Sequence, residues 1–167
     1  MNIPEFIAQM ENTQPPAPES ELAAFEAKVG CRLPDDYRSF LVASNGGYVG
    51  GRLWFMGVTP NGASAEAGVH HVGGLRTESY FSLTQRLECY RDRIPCELLW
   101  IMDDPFGNAV CIGLTGNYRG RIYFWDHERE PDSEEWDGSA DSAENLTPLT
   151  NTFTDFVTGL QPEDTVA

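Results

Sequence analysis

Residues 98–128, LLWIMDDPFGNAVCIGLTGNYRGRIYFWDHE, decide the fold. Three apolar runs of strand length lie here and just upstream: CELLWIMDD (96–104), NAVCIGLTG (108–116) and RIYFWDH (121–127). Their links, DPFGN and GNYRG, are rich in Gly, Asn and Pro, the residues that turn a chain. Links this short join antiparallel neighbours, because a parallel pair needs a crossover of a dozen or more residues. The three runs therefore predict a β-meander.

Helical spacing appears on both sides of the meander. Downstream, TPLTNTFTDFVTGL (147–160) spaces Leu149, Phe153, Phe156, Val157 and Leu160 for one helical face, predicting a closing helix on the sheet. Upstream, SLTQRLECYRDR (82–93) places Leu83, Leu87 and Tyr90 on a helical face. TPNGASAEAGVHHVGGL (59–75) reads as a long polar loop, and YVGGRLWFMGV (48–58) as a strand interrupted by glycines. LPDDYRSFLVASNGG (33–47) predicts a helix. Pro34 suits its start, Asp35 and Asp36 favour the positive end of the dipole, and Asn45-Gly46-Gly47 stops it. ESELAAFEAKVG (19–30) sets Leu22, Phe25 and Val29 on one face and ends at Gly30. A short helix at IPEFIAQMEN (3–12) precedes a connector stiffened by Pro15, Pro16 and Pro18. Helices first, strands in the middle and a helix last predict α+β. The expected organisation is one domain over 19–160, after an N-terminal helix and Pro-rich connector at 1–18. A tail at 161–167 follows, and an acidic loop occupies 128–145.

The totals fit this. A chain of 167 residues with 41% hydrophobic composition is a single globular domain. No apolar run approaches the roughly 20 residues a membrane helix needs. The start, MNIPEFIAQMEN, lacks the basic opening and apolar stretch of a signal peptide, so a cytoplasmic protein is expected. Cys31, Cys89, Cys96 and Cys111 form no metal-type spacing and read as free thiols, Cys111 as a core residue. Twenty-six acids against 11 bases give a net charge of −15. Residues 1–99 carry 12 acids and 8 bases, whereas residues 100–167 carry 14 acids and 3 bases. Such a surface repels nucleic acid and anionic membranes and draws basic partners.

Chemistry-bearing clusters were weighed against plain structural roles. In WDHE (125–128), strand alternation splits Asp126 from His127, so the polar group reads as a strand end rather than a catalytic or metal cluster. Asp103 and Asp104 precede a turn, where Asp caps backbone amides. His70 and His71 sit in the glycine-rich loop with no defined partner. SNGG (44–47) has no following Lys to complete a phosphate loop, and no serine stands in a nucleophile elbow. No catalytic residue, cofactor or metal is expected. A small hydrolase or metal enzyme using Asp103, Asp104, Asp126 and His127 is the minor alternative.

LPDDYRSFLVASNGG resembles the motif of the SMI1/KNR4 family, the SUKH superfamily, through Leu33, Pro34, Tyr37, Phe40, Leu41, Asn45, Gly46 and Gly47. The rest follows in family order. IPCELLWIMDDPFGNAVCIGL is similar to the central hairpin, with Asp104, Gly107, Asn108 and Cys111 matching. GRIYFWDHE resembles the next strand, with Trp125, Asp126, His127 and Glu128, and NTFTDFVTGL the closing helix, with Phe153 and Phe156. The resemblance spans residues 19–160 and implies a domain without a catalytic site. Many bacterial members are immunity proteins that neutralise a cognate toxin, often a nuclease or deaminase, while some eukaryotic relatives are regulatory interaction proteins. The loop 59–74 and the stretch 130–145 follow no family motif, and loops on a rigid scaffold carry individual specificity.

The expected partner-binding surface is the acidic stretch Glu128, Glu130, Asp132, Glu134, Glu135 and Asp137. Trp136 stands in it either as an aromatic anchor or as a latch folded back onto the domain. The expected partner is a toxin domain with a basic surface, because a polyanionic inhibitor can mimic nucleic acid in a basic cleft. A regulatory or scaffold protein with a non-toxin partner is the alternative reading.

Overall fold

A computed structural model describes residues 1–75, 81–132 and 134–163; the last four residues of the expected tail lie outside these. Helix α1 (Ile3–Gln9) is opened by a capping box in which Asn2 and Glu5 satisfy each other's amides. Helices α2 (Glu19–Val29) and α3 (Asp35–Ala43) follow, α2 closing on Gly30 at φ 78°. Strand β1 (Gly47–Val58), strand β2 (Ser64–Val72) and helix α4 (Leu83–Cys89) lead into β3 (Leu98–Asp103), β4 (Ala109–Gly113) and β5 (Ile122–Trp125). Strand β6 (Leu146–Thr150), helix α5 (Phe153–Thr158) and strand β7 (Leu160–Pro162) complete the elements of the described residues. The fold is α+β, as the meander required.

The seven strands form one antiparallel sheet in the order β6-β5-β4-β3-β2-β1-β7. Every residue of β3 and β4 is buried, so the two central strands read as continuous apolar runs. Phe55 of β1 stacks on Phe156 of α5, with ring centroids 5.3 Å apart. Arg86 of α4 lies over Trp100 of β3, and Tyr90 meets Trp125 of β5 edge-on. Tyr37 and Phe40 of α3 pack on Phe153 of α5, both at 5.2 Å.

Two expectations need correction. Residues 59–75 are not one polar loop, because β2 occupies Ser64–Val72 and pairs with β1 from Val58↔Ser64 to Gly47↔Val72. Small residues and acids hid the strand: β2 is stabilised by pairing on both edges more than by its own apolar pattern. The closing helix is also shorter than its apolar spacing suggested. Leu149 belongs to β6 and Leu160 to β7, and only Phe153–Thr158 is helical. All five residues of the expected stripe are buried, but from three different elements, in a way that mimics one helical face.

The N-terminal segment is part of the core. Phe6 is fully buried with its ring 5.8 Å from Phe40. Glu11 exchanges both backbone hydrogen bonds with Tyr48, at 2.8 and 2.9 Å, and Ala17 donates to Leu41 across the proline-rich connector.

Candidate functional site

The acidic segment leaves the sheet at the end of β5. Asp126 caps a single 3-10 turn over His127–Arg129, its carboxylate accepting the Glu128 amide at 3.0 Å. Glu130 pairs with Arg93, whose guanidinium lies 5.3 Å from the Tyr90 ring centre and 5.5 Å from that of Trp125. Asp132 accepts the Glu134 amide at 3.0 Å through its side chain and the Trp136 amide at 3.0 Å through its carbonyl. Asp137 accepts from Ser142 Oγ at 2.5 Å and from the Ser139 amide at 2.9 Å, and these bonds hold its carboxyl below the usual carboxylate range. Tie-points to the domain follow. Cys96 donates its amide to the Gly138 carbonyl at 3.3 Å, Ala140 to Glu97 Oε2 at 3.2 Å, and Tyr118 its hydroxyl to Asp141. Asn145 Nδ2 donates to the Asp126 carbonyl at 2.9 Å and closes the segment on itself.

Among the described residues, the stretch is thus tied to the domain or to itself at Glu130, Asp132, Asp137, Gly138, Ala140, Asp141 and Asn145. Glu128, Asp132, Glu134, Glu135 and Asp137 are exposed, whereas Glu130 is half-buried by its ion pair. Trp136 is half-buried and donates its indole N–H to the Ser139 carbonyl of the same segment at 3.2 Å.

Beside this segment opens a cleft of about 420 Å³ lined by Phe106, Asn108, Phe124, Asp126, His127 and Glu128. Phe106 stands at the β3–β4 turn, 68% exposed, its ring 6.3 Å from that of Trp54. The turn beneath it is fixed by Asp104, which accepts the Phe106 amide at 2.8 Å, the Asn108 amide at 2.9 Å and Asn108 Nδ2 at 2.8 Å. Gly107 at φ 95° takes the backbone conformation that lets the turn close. Asn108 Oδ1 in turn receives the His127 amide at 3.2 Å and faces His127 Nδ1 at 2.8 Å. Asp104, Asn108 and His127 therefore couple the turn to the start of the acidic segment. Sequence reasoning missed Phe106 because it lies inside a turn signal. The available clue was a large apolar ring between Pro105 and Gly107, where turn chemistry gives no reason for one.

The residues weighed for catalysis have local jobs. Asp104 holds the turn and Asp126 caps the 3-10 turn, as strand-end and turn chemistry predicts. Asp103 is different: it pairs with His71 and Arg86. His70 and His71, expected in a loop without a partner, stand on β2 beside β3, with His71 opposite Asp103 in register. The reason is the unrecognised strand, which places two imidazoles against a buried carboxylate. Cys111 is buried, and burial pushes its thiol far up, away from nucleophilic use.

The remaining motif residues build the scaffold. Leu33, Tyr37, Phe40, Leu41, Trp125, Phe153 and Phe156 are core side chains, and Pro34 is buried at the cap of α3. Asn45 clamps Leu75, accepting its amide at 2.6 Å and donating to its carbonyl at 3.3 Å. Gly46, at φ 73°, lies where a Cβ would stand 2.7 Å from the Gly74 amide nitrogen and the Val72 carbonyl. At Gly47 a Cβ would meet the Glu11 carbonyl at 2.9 Å. The Asn-Gly-Gly end of α3 is therefore a close crossing of two backbones.

The SMI1 / KNR4 family (SUKH-1) matches residues 16–159. The SPbeta prophage-derived uncharacterized protein YokK of Bacillus subtilis (strain 168) is 26% identical over 132 residues, 68% of this chain. The chain spans 65% of that relative's own length. The chain belongs to the SMI1/KNR4 (SUKH-1) family.

Proposed function

From that membership we propose that the chain is a non-catalytic binding domain of the immunity type, which neutralises a cognate toxin domain by covering it. The observation that carries the interface is the fixed acidic segment beside an exposed aromatic, with the cleft between Phe106 and Glu128 joining them. A held array of carboxylates offers a basic toxin surface its charges without the entropic cost of ordering a loop. Phe106 supplies the desolvated anchor that charge alone lacks, and the carboxylates at its rim steer the encounter. The interface then comprises Glu128, Glu130, Asp132, Glu134, Glu135 and Asp137, with Phe106 as anchor and Trp136 as the latch that shapes the segment.

The test is affinity for a purified candidate toxin domain with a basic surface, such as any found encoded beside this chain's gene, measured by calorimetry. Phe106→Ala weakens binding about tenfold or more while thermal unfolding stays in place, since the ring is exposed. Glu134→Gln with Glu135→Gln lowers the association rate. Full affinity in both variants would remove this face from the interface. No binding by the wild-type chain would favour a regulatory partner instead.

A further inference from the structure

His70 and His71 on β2 and Asp103 on β3 bring two imidazoles and a carboxylate together so that one ligand atom from each lies within 4.8 Å of the others. His71 Nδ1 is hydrogen-bonded to Asp103 Oδ1 at 2.8 Å, a contact that an ion between them would replace, and His70 Nδ1 is 3.9 Å from the same oxygen. Ligand atoms around a tetrahedral zinc stand roughly 3.3 Å apart, between these two values. We propose that His70, His71 and Asp103 form a binding site for a divalent cation of the zinc class.

The donor set fits such an ion. The two imidazoles are borderline ligands that, beside a single carboxylate, favour zinc over magnesium or calcium, and three protein ligands leave a fourth position open. The surroundings orient the ligands as the shell around a metal does. Arg86 Nη2 lies 3.4 Å from Asp103 Oδ2, leaving Oδ1 towards the histidines, and the His71 amide donates to Oδ1 at 3.0 Å. The His71 ring stacks on Phe81 at 4.5 Å, and the Tyr48 ring sits 5.1 Å from that of His70. The nearby guanidinium repels a cation, and the Asp103 charge offsets it. The carboxylate is only 10% exposed, so this attraction is little screened by solvent. This site is separate from the acidic surface of the proposed function and does not depend on a toxin partner.

The experiment is titration of the full metal-free chain with zinc and, separately, with cobalt(II). One equivalent of zinc binds and raises the unfolding temperature, because the ion binds the folded arrangement. Cobalt(II) gives the visible bands of a nitrogen and oxygen site, without a thiolate charge-transfer band. His70→Ala, at a half-exposed position, and Asp103→Asn each weaken binding roughly tenfold or more, with far-UV circular dichroism confirming the fold. Absence of zinc binding by the native chain, unchanged affinity in both folded variants, or a thiolate band assigning the metal to cysteines would each overturn the proposal. The cobalt spectrum of the native chain decides the matter even where a variant does not fold.

Discussion

Gly46 shows how one residue specifies the path of the chain. It combines positive φ with backbone atoms 2.7 Å from where a Cβ would stand, and those atoms cannot swing aside as a side chain would. Gly46→Ala is expected to destabilise the fold by about 1–3 kcal/mol, measured by urea unfolding, through left-handed strain and displacement of the Gly74 strand end. Tyr118 offers a second test at this scale. Its hydrogen bond to Asp141, then burial, raise the phenol from 10.0 to about 12. The folded chain holds this proton more tightly than the unfolded chain. The bond's contribution is therefore intact below pH 10 and is lost as pH rises through about 12. Ultraviolet titration should show one tyrosine near pH 12 that moves back towards 10 in Asp141→Asn. The apolar face of α3 was legible because the spacing of Tyr37, Phe40 and Leu41 is local, whereas Asn45-Gly46-Gly47, read as a helix stop, serves a backbone crossing beyond the helix end at Ala43. Phe106 and the two histidines were not legible, because what singles them out is their neighbours across the sheet.

Among the elements, the clearest test lies in α1. The proline-rich connector left open whether this helix is held, and the two-bond bridge of Glu11 to Tyr48 with the burial of Phe6 shows that it is. Phe6→Ala should therefore cost about 3–5 kcal/mol in global unfolding, the loss expected for a large ring in a well-packed core. A peripheral helix would lose far less. The meander was readable because apolar runs and Gly/Asn turns repeat at short range. β2 was not, since Ala65 and Ala67 give little apolar signal and the His70-His71 pair interrupts the alternation, and its strand state is imposed by β1 and β3. β7 was hidden for a similar reason: Leu160 pairs with Phe55 of β1, about a hundred residues away in sequence, and no local signal reports that contact.

The whole molecule carries a net charge of −15, with the excess concentrated after residue 100. The fold turns part of that excess into a fixed surface, because the acidic segment is bonded to Cys96, Glu97, Arg93 and Tyr118. If this surface meets a basic partner, encounter is electrostatically steered. The association rate should then fall by about tenfold or more between low and high salt, while dissociation changes little, as stopped-flow mixing would show. Among the described residues, no helix is long and apolar enough to cross a membrane. The most direct measurement is growth of cells co-expressing this chain with any toxin domain found encoded beside its gene. Protection with a stable isolated complex is the predicted result. Growth arrest despite folded, abundant chain would contradict the immunity reading.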